Sequence, residues 1–184
     1  MSDGSRIEWC DATWNPVVGC QPMHWSKPRR ILVGSMSDVG LWPLKQVGRV
    51  ILHAEANVGR HTFMLLTKRP DLLAATLRRL WSPRNLWIGV TVENNAQAWR
   101  IEELLKIRPA IHFVSFEPLL ERIDVNPLPR TDWNIAGPET GPGARPCDPT
   151  WIEELDDRCM AAGIPFFDKR AGGRREFPKG AARG

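Results

Sequence analysis

The chain has 184 residues, 42% hydrophobic and 25% charged, with a formal net charge of +4. That balance suits one soluble globular domain and excludes a disordered or fibrous chain. No apolar run approaches the ~20 residues needed to cross a bilayer, so no membrane partner is expected. The mild positive charge admits a polyanionic partner without requiring one.

The N-terminal residues Met1-Ser2-Asp3-Gly4-Ser5-Arg6 carry no basic-then-apolar signal pattern. Four widely spread cysteines argue against a disulfide framework and for a reducing, cytoplasmic setting. The first β-prone run is residues 14–18, and it ends at Gly19-Cys20. A cysteine where a strand gives way to a loop is a natural metal or nucleophile position. No second cysteine follows nearby, and Cys20 with His24 makes a pair at most, short of the three or four ligands that zinc takes. Trp9, Trp14 and Trp25 crowd the same opening stretch, where they either line a pocket or fill the core.

A repeating unit follows, a short apolar run that ends in polar residues and leads into an amphipathic segment. Ile31-Leu32-Val33 runs into Gly34-Ser35-Met36-Ser37-Asp38, and Phe63-Met64-Leu65-Leu66 into Thr67-Lys68-Arg69. Leu86-Trp87-Ile88-Gly89-Val90 runs into Thr91-Val92-Glu93, and Ile111-His112-Phe113-Val114 into Ser115-Phe116-Glu117. Trp133-Asn134-Ile135-Ala136 precedes Gly137-Pro138-Glu139, and Ile164-Pro165-Phe166-Phe167 precedes Asp168-Lys169. Runs without clean alternation suit strands buried on both faces of a parallel sheet. They recur roughly every 22 to 30 residues, the length of a strand-plus-helix unit.

The segments between them read as helices. Leu44 to Ala56 puts Val47, Val50, Ile51 and Ala54 on one stripe. Helices are also expected over 71–81 and 94–107, the second with Ala98, Ile101, Leu104 and Leu105 inward. Asp148 is a natural N-cap with Pro149 at the first helical position, and Gly163 ends that helix in the left-handed conformation. Cys159 falls on its apolar stripe and reads as packing. Residues 119–132, with Pro127 and Pro129, read as an extended excursion. A single domain is expected over 1–170, with 171–184 a flexible basic tail.

In a parallel βα array, ligands and chemistry gather at the carboxyl ends of the strands. Those ends supply Asp38, Lys68, Glu93, Glu117 and Lys169 as catalytic candidates, together with Ser35, Ser115 and Glu139. A buried set of lysines and carboxylates there is expected to bind an anionic or amino-acid-like ligand and to move pKa values toward neutrality. The Gly/Pro-rich loop 137–146 brings backbone N–H groups and Arg145 toward an anion, or else serves only as a rigid turn.

These motifs resemble a phage protein family, the gp thirty-seven/gp sixty-eight family, a three-cysteine, radical-SAM-like group. The matching residues are Ile7-Glu8-Trp9, Trp14-Asn15-Pro16-Val17, Gly19-Cys20, Pro28-Arg29-Arg30-Ile31 and Ser35-Met36-Ser37-Asp38. Further along they are Leu66-Thr67-Lys68-Arg69-Pro70, Gly89-Val90-Thr91-Val92-Glu93, Phe113-Val114-Ser115 and Glu117-Pro118-Leu119-Leu120. Glu139, Gly141 to Pro146, and Pro165-Phe166-Phe167 with Lys169 complete the match. The resemblance implies a partial TIM-type barrel of about six to seven parallel βα units. It also implies an iron–sulfur cluster with Cys20 among its ligands, and S-adenosylmethionine beside it, held through Ser35, Ser115, Glu139 and Arg145. The chain departs from the family pattern where Gln21-Pro22-Met23-His24 replaces the longer cysteine-bearing loop. Pro138 stands where a glycine is usual, and Arg170-Ala171 where Gln-Trp is usual.

The expected function is therefore that of a shortened, cluster-free relative that keeps a rim for a small-molecule or nucleotide ligand. A protein partner or second copy would cover the side of the barrel opened by the shortening. Two alternatives are an active radical SAM iron–sulfur enzyme with an unusual cluster site and a nucleic-acid-associated phage accessory protein. The setting implied is the cytoplasm of a bacterial host.

Overall fold

The structure is a computed structural model that describes residues 20–124 and 130–179. Six strands appear, each at one of the six apolar runs: β1 Arg30–Val33, β2 Thr62–Thr67, β3 Leu86–Thr91, β4 Ile111–Phe116, β5 Trp133–Ala136 and β6 Phe166–Asp168. All neighbours pair in parallel, in the order β1-β2-β3-β4-β5-β6. A doubly wound sheet reverses its strand order at a switch point. This one never does, and it curls into a half-barrel. The run 14–18 lies outside the described residues. Among the described residues no helix is long and apolar enough to cross a membrane.

Four helices connect the strands: α1 Leu44–Ala56, α2 Pro70–Leu77, α3 Trp99–Leu104 and α4 Pro149–Ala162. The first matches the expected stripe, with Val47, Val50, Ile51 and Ala54 all buried. The second stops at Leu77, short of 81. The third is broken into a 3-10 turn, Asn95–Gln97, and one and a half turns of α-helix. The fourth is as the sequence spells it: the Asp148 carboxylate accepts from Thr150 N, and Gly163 sits at φ 68°. Beyond β4 the chain forms neither helix nor strand through Asp124, and residues 125–129 lie outside the described residues.

Alternation along the strands builds two cores. Phe63, Leu65, Leu86, Ile88, Val90, Val114, Phe116 and Phe166 face the helices and form the main core with Ile51, Leu73, Ile101, Leu104, Ile152 and Leu155. The opposite face is the inside of the half-barrel, where Leu66, Gly89, Phe113 and Trp133 stand in one register row. Gly89 is small for a reason: a Cβ there would lie 2.5 Å from Phe113 Cδ2 and Cζ. The Phe113 ring occupies that space and leads to Trp133, 5.7 Å away between centroids.

The stretch after β6 is not the loose tail expected. Residue 175 bridges antiparallel to Phe167, Asp168 N donates to Arg174 O, and Glu176 N donates to Phe166 O. Phe177 then enters the half-barrel, 5.3 Å from Trp133 and 5.4 Å from Phe167, with the Arg30 guanidinium 3.6 Å over its ring. The physical reason is the open edge of β6, whose N–H and C=O groups need partners. Gly173 permits the turn by passing against Asp168, where a Cβ would stand 2.5 Å from that residue's own Cβ. The basic charges are also consumed: Arg170 pairs with buried Asp168, and Arg174 with Asp156 at 2.5 Å. The boundary at 170 therefore does not separate domain from tail through Lys179; residues 180–184 lie outside the described set.

Candidate functional site

At the carboxyl ends of β1, β2 and β3 a cavity of about 240 Å³ is lined by Gly34, Ser35, Asp38, Leu66, Lys68 and Thr91, among others. Ser35 and Lys68 thus share one hollow, as the strand-end reading requires. Asp38 does too, but its carboxylate is committed to the fold. One oxygen accepts from Gly40 N at 2.8 Å and from the Thr67 hydroxyl, and the other accepts from Lys68 N at 2.8 Å. Asp38 caps the turn Val39–Leu41 and ties it to the end of β2. It positions the cavity wall instead of supplying a free base.

Glu93 is the electrostatic centre of this part of the rim. Its carboxylate takes Lys68 Nζ at 2.5 Å on one oxygen and Arg100 Nη1 at 2.8 Å on the other. Arg100 also donates to Thr91 O at 2.8 Å. Burial pushes the Glu93 pKa up, but Lys68, its own backbone N–H and Arg100 outweigh it and hold the carboxyl below its usual value. The expected drift toward neutrality is therefore reversed at Glu93. Nor is the lysine set buried: the side chains of Lys68 and Lys169 are 54% and 44% exposed. The lysines keep their ammonium groups in water and so lose little solvation, whereas Glu93 and Arg100, 12% and 11% exposed, meet as a mostly buried pair.

Arg100 lies on α3, outside the strand-end set. The signal for it is a cation in the first turn of a helix, where the macrodipole disfavours it unless a carboxylate holds it. Beside it, Arg100 Nε and Asn94 Oδ1 are buried with no hydrogen-bond partner in the structure. The neighbouring Asn95 clamps the excursion after β4: its side chain donates to Glu121 and to Arg122 O, and accepts from Asp124 N.

The rest of the rim is built from two more pairs. Lys169 Nζ meets both oxygens of Glu117 at 2.6 and 2.7 Å, which joins β6 to β4. Gly137 lies beneath that pair, where a Cβ would come 3.1 Å from Lys169 Cβ. Glu139 accepts from Arg145 N, Nε and Nη2 at 2.7 to 2.9 Å. That clamp draws the Glu139 pKa down to about 2. Arg145 is so turned onto its own loop, although Glu93 also feels its charge and raises its pKa. Ser115 is buried on the inner face beside Thr91, in register with it across β3 and β4. The structure therefore gathers Ser35, Asp38, Lys68 and Glu93 in one corner, Glu117 with Lys169 in a second, and Glu139 with Arg145 in a third.

Cys20 does not join them. It precedes the 3-10 turn Gln21–His24, which docks at the amino end of β2: Pro22 O pairs with His61 Nε2 at 2.9 Å, and Met23 Sδ accepts from Asn57. Trp25 packs against His61 and under Arg29 at the same end. β2 is six residues long, so the rim stands about 17–20 Å away at ~3.3 Å per residue. The other described thiols sit apart as well. Cys159 is buried in α4 beside Asn134, with burial pushing its pKa up to about 11, and Cys147 lies ahead of α4. A cluster on three thiolates needs them converging on one point. The described donor set does not, and among the described residues no three His, Cys, Asp or Glu side chains are grouped to hold a metal ion.

No curated protein and no solved structure matches the chain. A family model does match, over residues 21–182. That span takes in the rim, the half-barrel and the returning C-terminal stretch, and the chain belongs to the family described as "protein of unknown function (DUF5131)".

Proposed function

We propose that the chain is a cluster-free, ligand-binding relative of the phage gp thirty-seven/gp sixty-eight group, on a half-barrel of TIM type, and that its rim takes a small molecule with an amino-acid head group. The strand order without reversal supports the winding. The observation that carries the ligand class is the corner around Glu93. There the half-exposed Lys68 ammonium lines a cavity at the strand ends and pairs with the Glu93 carboxylate, which the buried Arg100 guanidinium backs from the other side. A zwitterion meets such a corner with both charges satisfied: its carboxylate on Lys68, its ammonium toward Glu93. S-adenosylmethionine, which the family resemblance implies, carries that head group. Cys20 at the far end of the sheet supports a binding role without a cluster beside the ligand.

Calorimetric titration of the chain with S-adenosylmethionine and with methionine tests this. The reading expects saturable heat with both, and binding roughly tenfold or more weaker in Lys68→Ala, since one charge-assisted hydrogen bond contributes about 1.5–3 kcal/mol. Lys68 is exposed enough that its truncation leaves the fold intact. No heat with either ligand ends the proposal.

A further inference from the structure

At the opposite end of the sheet, the C-terminal ends of α2 and α3 lie together and enclose a second cavity, of about 250 Å³. Ala74, Leu77 and Leu80 give it an apolar lining, and Arg78, Trp81, Lys106 and Arg108 surround them. Trp81 is 51% exposed and stacks on no other ring among the described residues. Arg78, Arg84 and Arg108 are exposed, and none has an ion-pair partner among the described residues; Lys106 pairs with Glu103. This contrasts with the C-terminal stretch, whose Arg170 and Arg174 are neutralised by the chain's own carboxylates. Cations near helix C-termini offset the macrodipole, which accounts for Arg78 and Lys106. It accounts neither for an exposed indole between them nor for Arg84 and Arg108 in the loops beyond.

Unpaired guanidiniums around an exposed aromatic face are the chemistry that holds a polyanion with flat, stackable rings. A duplex hides its base faces inside the stack, whereas a single strand offers them. We propose that this groove binds single-stranded nucleic acid, with a base on Trp81 and backbone phosphates on Arg78 and Arg108. The site is independent of the rim: α2 leaves the rim at Pro70 and reaches the groove only at its last turn.

Fluorescence anisotropy of an end-labelled oligothymidylate about 15 nucleotides long, titrated with the full chain over a salt series, tests it. Binding should weaken steeply with salt. Trp81→Ala should lose roughly tenfold in affinity with the salt slope retained, and Trp81→Phe should recover most of it. The pair Arg78→Gln and Arg108→Gln should lower the slope by about 1.4, two phosphate contacts' worth for a single strand. Lys68→Ala should bind like the wild type. The proposal is overturned if no binding occurs at low salt, if Trp81→Ala is silent, or if a duplex of the same length binds as tightly. Displacement by oligoglutamate at equal charge would overturn it too, in favour of an acidic protein partner.

Discussion

Replacing Glu93 by Gln keeps the shape of the side chain and removes its charge. Glu93 and Arg100 are only 12% and 11% exposed along their side chains, so the guanidinium would be left buried without a counter-ion. Breaking a fully buried pair in this way costs about 3–5 kcal/mol. Here Lys68 keeps its head in water, and Gln still accepts one hydrogen bond, so the expected loss is about 2–3 kcal/mol at neutral pH. For a chain of this size that is roughly 5–10 °C in Tm. The pH dependence has a definite sign. The folded pKa of Glu93 lies below its ordinary value of 4.5, so its stabilisation is fully present above about 4.5 and is lost as pH falls through the folded value. Urea unfolding of wild type and Glu93→Gln from pH 7 down to pH 3 should show two curves converging on the acid side. A difference under about 0.5 kcal/mol at pH 7, or one that is constant with pH, would refute the assignment of Glu93 as the charge that holds this corner.

Gly89→Ala should cost about 1–3 kcal/mol by forcing the Phe113 ring out of its row, read as a drop in thermal midpoint with near-ultraviolet dichroism altered at the tryptophans; an unchanged midpoint contradicts the close approach of Phe113 to Gly89. Phe177→Ala should destabilise by about 2 kcal/mol, less than a fully buried ring because Phe177 is half-buried. Hydrogen exchange in that variant should quicken at Asp168 and Glu176, whose amides pair across the returning strand. A tail free in solution would show neither effect.

The fold was legible because both faces of the sheet are covered. Continuous apolar runs such as Leu86-Trp87-Ile88-Gly89-Val90 mean a strand with no wet face, and Asp148, Pro149 and Gly163 mark a helix at both ends. The rim residues were legible as a set, since strand ends recur at a fixed place in each unit. Their pairing was not. Lys169 reaches Glu117 across 52 residues, a contact set by strand order and invisible to any local pattern. Arg100 escapes stripe counting, which asks which helix residues are apolar and not which polar ones point back to the preceding strand. The C-terminal stretch looks loose because Gly and Arg look solvated in sequence; only the open edge of β6 gives them backbone partners. The family resemblance sets Cys20 beside the S-adenosylmethionine residues of the rim, but the turn after it is held to the other end of the sheet through His61 and Asn57.

Where a ligand sits on the half-barrel decides whether the rim is the binding site. Amide chemical shifts of the isotopically labelled chain, followed as S-adenosylmethionine is added, answer that directly. Shifts concentrated at Gly34, Ser35, Lys68, Thr91 and Glu93 are the predicted result. Shifts confined to the amino end of the sheet around Cys20 and His61, or none at saturating ligand, would contradict it.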